Sequence, residues 1–568
     1  MNILGINAVF HESAAALIVD GKLVAACEEE RFNRIKHGKA PQAGDPRKPA
    51  ELFGLPEPRE LPEQAIRFCL DYAGLEASAI DCVAYSFDPK LRREEFHADW
   101  WPESQMEAEF LQRLGGVGEA VDRLLGRKSA RALKFVPHHL AHAASAYYPS
   151  GFDPAAILVI DGIGEAASST LAWGEGKRIK TIETFAYPNS LGFVWERAST
   201  HLGFSQYDAS KVMGLAAYGD PEIFSRQFAS IIQVGEDGYA VDLGAAGFSD
   251  SNRLVALFGP RREPDAEILP RHMDVAAALQ AATDGAVVAL LRRLERSVGA
   301  APLCIAGGVA LNCVTNTVIR QSGFSDVFIP SAPHDAGTAI GAALAVHCSE
   351  PGARPAKGAA TPYLGPEFAE REVLAAVKAA GLDARKSKDA PRDAADMIAD
   401  GNIVGWFQGR MEFGPRALGN RSLLADPRRS DTRATLNRRV KHREDFRPFA
   451  PSVLAERADE WFDVGPPLAS HEYMLFACPA KAGYRDRIPA VVHEDGTARV
   501  QLVRREANPR FHKLISRFFA RTGVPLVLNT SFNDSEPIVC TPAHAIATFR
   551  GTGIDALFMG DIYLTAQT

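Results

Sequence analysis

The chain opens on short, dense apolar runs broken by Gly, Asp and Asn, not on helical spacing. Residues 2–6, 15–19 and 23–27 predict three strands, and Asp20-Gly21 between the last two is a hairpin signal. The same order returns with Leu171 in the place of Leu17. There a buried strand over 156–160 ends in Asp161-Gly162-Ile163-Gly164, and a second hairpin follows from strands 169–173 and 179–185 around the turn 174–176. Two copies of one strand–loop–hairpin unit predict a duplicated α/β domain.

Later runs extend this pattern. A strand over 302–305 leads into Gly307-Gly308 and a helix-like stretch from Val309, and a strand over 326–329 leads into a Gly- and Ala-rich helix over 337–346. Residues 105–125 read as helical with a glycine break, and Gly116-Val117-Gly118 is read there as a helix-connecting loop. A dinucleotide fingerprint needs a preceding strand, which is missing here. Residues 349–362, with three prolines and two glycines, are the clearest linker. They divide the chain into domains over 1–355 and 363–568, with a Pro-rich insertion over 39–62 in the first. The architecture known for such a duplication is the one shared by actin, sugar kinases and heat-shock ATPases. In it each half holds nucleotide phosphates with its first hairpin loop.

Composition narrows the partners. The 568 residues are 46% hydrophobic and 23% charged, with a net charge of −7. Nucleic acid and anionic membranes demand concentrated basic surface, so neither is expected. No apolar run reaches the roughly 18 residues of a membrane span. The N-terminus lacks the basic start of a signal peptide and carries His11 and Glu12. The eight cysteines form no CxxC pair and most sit in apolar runs, which predicts buried reduced thiols and a cytoplasmic protein.

Three sets of residues carry candidate chemistry. In HHLAHAASAYY, a helix places His138 and His142 on one face, and Asp161 and Asp335 each follow a strand. Four such N/O ligands suit iron(II), manganese or zinc. Gly162, Gly164, Gly307 and Gly308 let backbone amides approach phosphate, and Lys211 and Gly214 add a charge and a close approach. Third, GRMEFGPRALGNRS gathers Arg410, Arg416 and Arg421 among glycines and apolar neighbours, with Lys441, Arg443 and Arg447 downstream. Arginine forks match phosphate and carboxylate, so this reads as an anion pocket. Asn529, in the motif NTSFN after a strand over 525–528, is placed to hold a substrate amide.

Taken together, FHESAAAL, EEERFNRIKHG, HHLAHAASAYY, IDGIGE, KVMGLAAYG, AGGVALN, QGRMEFGPRALGNRSLL, RPFAPSV, HED and LNTSFN resemble the O-carbamoyltransferases that include nodulation protein U, cephalosporin hydroxymethyl carbamoyltransferase and tobramycin carbamoyltransferase. The resemblance runs over nearly the whole chain. It implies an actin-like N-terminal domain similar to the tRNA threonylcarbamoyl transferase subunit, and an α/β YrdC-like C-terminal domain. The latter would turn carbamoyl phosphate and ATP into carbamoyl adenylate, and the former would pass the carbamoyl group to a hydroxyl. By this resemblance His138, His142, Asp161 and Asp335 hold iron(II). Gly162, Gly164, Lys211, Gly214, Gly307, Gly308 and Asn312 line a second nucleotide pocket. Arg416, Arg421, Lys441, Arg447, Arg499 and Asn529 bind carbamoyl phosphate and the adenylate, Lys36 reaches in, and His11 is the base toward the acceptor. Glu12 departs from the family's usual aspartate. A homodimer is compatible with the sequence. The residues name no acceptor: sugar, aminocyclitol, polyketide, nucleoside and oligosaccharide hydroxyls all fit. Two other functions stay open, a tRNA threonylcarbamoyl-type transferase and an actin-like nucleotide-binding regulator without transfer chemistry.

Overall fold

The computed structural model describes residues 1–38, 61–96, 104–126, 133–236, 238–242, 251–353, 361–465 and 469–566. Nearly all of the 39–62 insertion and residues 354–360 of the linker lie outside them. The chain forms two compact units, one of Met1–Asn33 with His37–Ala360 and one of Arg34–Lys36 with Thr361–Thr568.

In the first unit, Asn2–Asn7 (β1), Ala14–Val19 (β2), Lys22–Glu28 (β3), Cys82–Tyr85 (β4) and Leu133–Phe135 (β5) form a sheet in the order β3-β2-β1-β4-β5. A second sheet uses Ala155–Ile160 (β6), Ala167–Glu175 (β7), Arg178–Ala186 (β8), Leu303–Ala306 (β11) and Val327–Phe328 (β12). Between β8 and β11 lies a separate ribbon of Ile232–Gly235 (β9) and Gly238–Val241 (β10). The second sheet's order, β12-β11-β6-β7-β8, is the first sheet's order repeated. β1 runs antiparallel to β2 and parallel to β4, and β6 runs antiparallel to β7 and parallel to β11. Even the register recurs: Leu4 faces Leu17, and Leu158 faces Leu171. The duplication read from the apolar runs is therefore a duplication of topology. β6 is buried along its whole length, as a strand covered on both faces must be, and so it reads as an unbroken apolar run.

The helices His138–Ser150 and Asp335–Ser349 pack together beside β1. They approach so closely that a Cβ on Gly341 would stand 1.7 Å from the carbonyl oxygen of Ala141. This contact explains the small residues of the second helix, which begins two residues earlier than its Gly/Ala pattern suggests. The helix expected from Val309 is delayed: a 3-10 turn over Gly308–Leu311 comes first, then the helix Cys313–Arg320.

One expectation is corrected outright. Ser104–Leu124 is a single helix, with Gly115, Gly116 and Gly118 inside it and no connecting loop. Leu114, Val117 and Val121 form a buried stripe on one face, and that packing outweighs roughly 1 kcal/mol of helix propensity lost at each glycine. Pro270–Val298 contains a window of mean hydropathy 1.4, long and apolar enough to cross a membrane by composition. That window is 67% buried inside the protein, as in the core helix of a folded domain. The eight cysteines are buried, and none is in a disulfide.

The second unit is built on an eight-stranded mixed sheet, β13-β22-β21-β14-β15-β20-β16-β19. Its strands are Arg385–Lys386 (β13), Val404–Phe407 (β14), Arg421–Ala425 (β15), Ala450–Leu454 (β16), Gln501–Val503 (β19), Leu526–Ser531 (β20), Ala556–Met559 (β21) and Ile562–Thr565 (β22). Ala477–Pro479 (β17) and Thr497–Arg499 (β18) form a ribbon. β20 runs to Ser531, so Asn529 lies inside a central strand and not beyond its end. The short Arg34–Lys36 segment is tied into this unit by Arg34, which donates to the carbonyls of Pro537 and, at 2.7 Å, Ile538.

Candidate functional site

His138 and His142 occupy successive turns of one helix, and their Nε2 atoms lie 3.1 Å apart. Asp161, just past β6, places Oδ2 at 3.2 Å from His138 Nε2 and 3.6 Å from His142 Nε2. Asp335, the first residue of its helix, places Oδ1 at 3.6 and 3.4 Å from the same atoms. All four residues are buried, and their ligand atoms lie within 4.8 Å of one another. His138 Nδ1 faces the Ser86 carbonyl at 3.2 Å, which can only accept. Nδ1 therefore carries a proton, and Nε2 is the nitrogen that faces the cluster. Gly308 N–H donates to Asp161 Oδ1 at 2.9 Å and fixes that carboxylate. Glu165 accepts the His138 backbone N–H at 2.9 Å, anchoring the first turn of the histidine helix.

The electrostatics favour positive charge among these groups. Burial works against charge on His138, yet its contacts with Asp161 and Asp335 raise its pKa well above the usual value. Burial would raise the pKa of Asp161 too, but His138 and His142 drive it well below the carboxylate range. For Asp335, burial and the Asp161 charge work upward, and the two histidines again win. A divalent ion would satisfy both carboxylates while leaving the imidazoles neutral. The donor set of two imidazole nitrogens and two carboxylates fits a first-row transition metal.

Beside this cluster stands one that the motifs only partly announce. Asn7 Nδ2 holds the carbonyls of His11 at 2.6 Å and Glu12 at 2.9 Å, and Asn7 is itself fixed by Ser86 Oγ at 2.8 Å. Glu12 accepts from His37 Nδ1. The His11 and His37 rings both lie against Tyr207, with centroids 5.5 and 4.6 Å away. Burial pushes the Glu12 pKa up, but His37, with His334 and His11 behind it, brings it down to about 2. Phe10 links the two clusters by packing edge-on against the His138 ring at 5.1 Å.

The glycine loops have local duties. Gly307 has φ 97° and would drive a Cβ to 2.1 Å from the Ile160 carbonyl oxygen, so only glycine fits. Gly308 N–H is directed at Asp161, and Gly164 N–H donates to the Ala167 carbonyl at 2.8 Å. Gly162 has its carbonyl bound by Ser190 Oγ at 2.6 Å. Asn312 caps the helix Cys313–Arg320 through Oδ1 and reaches Gln280 through Nδ2. Lys211 pairs with Asp208 at 3.2 Å, one turn before Gly214 in the helix Ala209–Ala216. In this structure these residues support the His–Asp cluster or their own helices.

In the second unit, Lys441 is buried, and its Nζ meets the Ser531 carbonyl at 2.6 Å, Asn533 Oδ1 at 2.6 Å and the Asn533 carbonyl at 2.8 Å. All three acceptors are neutral. Burial, reinforced by Arg443 and Arg447, pushes its pKa well below the ordinary lysine value. Arg443 is brought down to about 9 by burial and by Arg447 and Arg499. Lys441, Arg443, Arg447 and Arg499 thus form one neighbourhood of mutually repelling cations, which an anion would relieve. Arg416 stands half-buried after Pro415, and Lys36 is exposed. Asn529 directs Nδ2 to Ser452 Oγ at 2.9 Å, while its buried Oδ1 has no hydrogen-bond partner among the described residues.

Arg421 departs from the anion-site expectation. It is fully buried, stacked 3.7 Å above the Phe407 ring, and donates to the carbonyls of Gln408, Gly409, Asn420 and Pro366. Here it holds the glycine-rich loop from inside rather than facing the pocket.

Comparison with known proteins decides the family. Residues 2–344 match the model of the carbamoyltransferase N-terminus, and residues 395–566 match that of the carbamoyltransferase C-terminus. The chain belongs to the carbamoyltransferase family. This carbamoyltransferase is 38% identical to nodulation protein NolNO of Sinorhizobium fredii, over 99% of this chain and 80% of that one. It is 31% identical to nodulation protein U of Bradyrhizobium diazoefficiens, over 94% and 92% of the two chains. An uncharacterized protein of Synechocystis, sll1178, is 36% identical over 100% and 97%. The solved structure of T. kodakarensis HypF is similar with a TM-score of 0.32 and 14% identity, over 60% of this chain and 47% of that one, too distant to bear on the fold.

The carbamoyltransferase is an enzyme that transfers carbamoyl groups. The sequence reading gave roles to the His–Asp cluster and to the cationic residues, but none to His37 and His334 around Glu12, nor to Glu165 under His138. His37 and Glu165 stand inside the motifs EEERFNRIKHG and IDGIGE, and His334 directly precedes Asp335.

Proposed function

We propose that this carbamoyltransferase forms carbamoyl adenylate from carbamoyl phosphate and ATP and passes the carbamoyl group to the hydroxyl of a small molecule. In balance, carbamoyl phosphate, ATP and water give carbamoyl adenylate, pyrophosphate and inorganic phosphate. The adenylate and an alcohol then give the carbamate ester and AMP. The observation that carries the reading is Lys441, a buried lysine whose hydrogen bonds go to neutral acceptors and whose charge is disfavoured by burial and by Arg443 and Arg447, against the opposing pull of Glu536 and Asp534. Such a site is unfavourable until an anion enters it. Phosphate and triphosphate supply that anion, and Arg416 and Arg447 offer forks to it.

In the first unit, an alcohol at neutral pH needs a base. His11, beside the ordered Glu12–His37 pair, is the residue we assign to take its proton. His138, His142, Asp161 and Asp335 would hold iron(II), which as a Lewis acid would polarise an oxygen brought to it. A nucleotide in this unit would be received by the loops around Gly162, Gly164, Gly307 and Gly308, with Lys211.

The test is direct. Purified enzyme is mixed with ATP and carbamoyl phosphate, and pyrophosphate is measured with each substrate omitted in turn. Release that requires both supports adenylation, and no release from the pair removes it. Candidate alcohols are then screened for a mass gain of one carbamoyl group.

A further inference from the structure

Next to Arg499 is a histidine whose hydrogen-bond polarity can be read from its neighbours. His493 begins a tight turn into β18: Gly496 N–H donates to the His493 carbonyl at 3.0 Å, and His493 N–H donates to the Thr497 carbonyl at 2.7 Å. Inside the turn, Asp495 Oδ1 accepts both the Thr497 N–H at 2.9 Å and the Thr497 hydroxyl at 2.7 Å. The threonine's only hydroxyl proton is thus committed. His493 Nδ1 lies 3.2 Å from that same oxygen, so Nδ1 must be the donor. Nε2 is left with the lone pair. It is buried and has no hydrogen-bond partner among the described residues.

A buried, unmet acceptor costs stability, and such groups are retained where a ligand completes them. The ring stays neutral at physiological pH. Burial lowers its pKa, Asp495 partly opposes this, Arg499 and Arg433 add to the lowering, and the result is about 4. Arg499 also acts on Arg443, which places His493 at the edge of the cationic neighbourhood of Lys441 and Arg447. Arg499 and Arg433 lie near this ring, and cations of this kind would meet phosphoryl oxygens, but they can only donate. A neutral acceptor among them serves a different part of the ligand, one that carries N–H.

We propose that His493 Nε2 accepts a hydrogen bond from the carbamoyl NH2 of carbamoyl phosphate and thereby discriminates it from acyl phosphates without that donor. The Asp495–Thr497 relay is the positioning device that fixes the tautomer. The inference rests on the carbamoyl phosphate reading above and names the group that reads the amide end. Acetyl phosphate is the matched probe, since a methyl group replaces NH2 and the phosphate is unchanged. A site built to bond an N–H rejects the analogue that lacks it, because the acceptor is then buried unpaired.

The experiment follows pyrophosphate release at saturating ATP, taking KM for carbamoyl phosphate and the inhibition constants of acetyl phosphate and inorganic phosphate against it. In His493→Phe, KM for carbamoyl phosphate should rise by about 10–10²-fold, the range lost with one buried hydrogen bond. Both inhibition constants should stay within about twofold, which also shows that the pocket is intact. His493→Gln keeps an acceptor oxygen and should retain more of the preference than His493→Phe, and Thr497→Val should retain less of it than wild type. Equal weakening of all three ligands in both His493 variants makes the residue structural and overturns the inference. An unchanged preference in His493→Phe overturns it as well. Absence of pyrophosphate release from the wild-type enzyme is a separate outcome that removes the adenylation reading itself, and this inference with it.

Discussion

His37 Nδ1 is hydrogen bonded to the carboxylate of Glu12, and both residues hold left-handed backbone, with φ of 66° and 52°. Non-glycine residues in that region carry about 1–3 kcal/mol of strain each, which persists only where surrounding contacts enforce it. Asn7 enforces it for Glu12, and the Glu30 carboxylate, accepting the His37 N–H at 2.8 Å, enforces it for His37.

The pair predicts a pH signature. The Glu12 pKa is lowered from 4.5 to about 2 in the fold. A depressed carboxylate contributes stability that is fully present above its unfolded pKa and is lost as pH falls toward the folded one. Glu12→Gln should therefore melt below wild type at pH 7, and the gap should narrow as pH falls below about 4.5. Thermal melts of both proteins from pH 7 to pH 3 measure this. A gap independent of pH would mean that Glu12 acts through shape alone.

His11→Asn separates the two half-reactions. If His11 is the base toward the acceptor, it matters only once the adenylate exists. Pyrophosphate release from ATP and carbamoyl phosphate should stay near wild type, while transfer to an acceptor falls about 10²–10⁴-fold. Equal loss of both would make His11 structural.

The metal cluster predicts one ion per chain. Elemental analysis should find it, and chelation should lower the melting temperature, since an ion at 100 times its dissociation constant stabilises by roughly 2.7 kcal/mol. His142→Ala and Asp335→Asn should both lose stoichiometric metal. Full occupancy in either variant would remove that residue from the ligand set.

What the sequence made legible follows its physics. Strands buried on both faces leave unbroken apolar runs, so β1 and β6 and their hairpins were visible, and so was their repetition. His138 and His142 were visible because helical spacing is regular. Glu12 with His37 was not: their pairing depends on two unusual backbone conformations that no periodicity encodes. Arginines look alike in a string, so Arg421 could not be told from Arg416. Only the fold shows one beneath the loop and the other half-buried after Pro415. The helix through Gly115, Gly116 and Gly118 was obscured for the opposite reason, since local propensity pointed one way and the buried Leu114–Val117–Val121 stripe another.

Those two arginines should fail differently. Arg421→Ala leaves the carbonyls of Gln408 and Gly409 without this donor and removes one of two donors from Pro366, so it should lower the melting temperature and yield poorly folded protein. Arg416→Ala should leave the melting temperature within a few degrees of wild type and abolish pyrophosphate release. A stable but inactive Arg421→Ala would return that residue to the anion site.

Lys441 offers the sharpest contrast between stability and function. Its folded pKa lies well below the ordinary lysine value, because burial and then Arg443 and Arg447 disfavour the charge. The folded state thus binds fewer protons than the unfolded chain, and stability rises with pH through the window between the two pKa values. At neutral pH the residue is a liability to the fold, and an apolar side chain of similar length should relieve it. Lys441→Met should therefore melt at or above wild type between pH 6 and 8, while pyrophosphate release falls by 10²-fold or more, as expected when a cation facing developing phosphate charge is removed. Anion binding to wild type should also restore the lysine's charge. Calorimetric titration with inorganic phosphate above the lowered pKa, in buffers of different ionisation enthalpy, should then record proton uptake that Lys441→Met lacks. A destabilised Lys441→Met with the same proton uptake would show that the lysine serves the fold through its bonds to Ser531 and Asn533 and does not meet the anion.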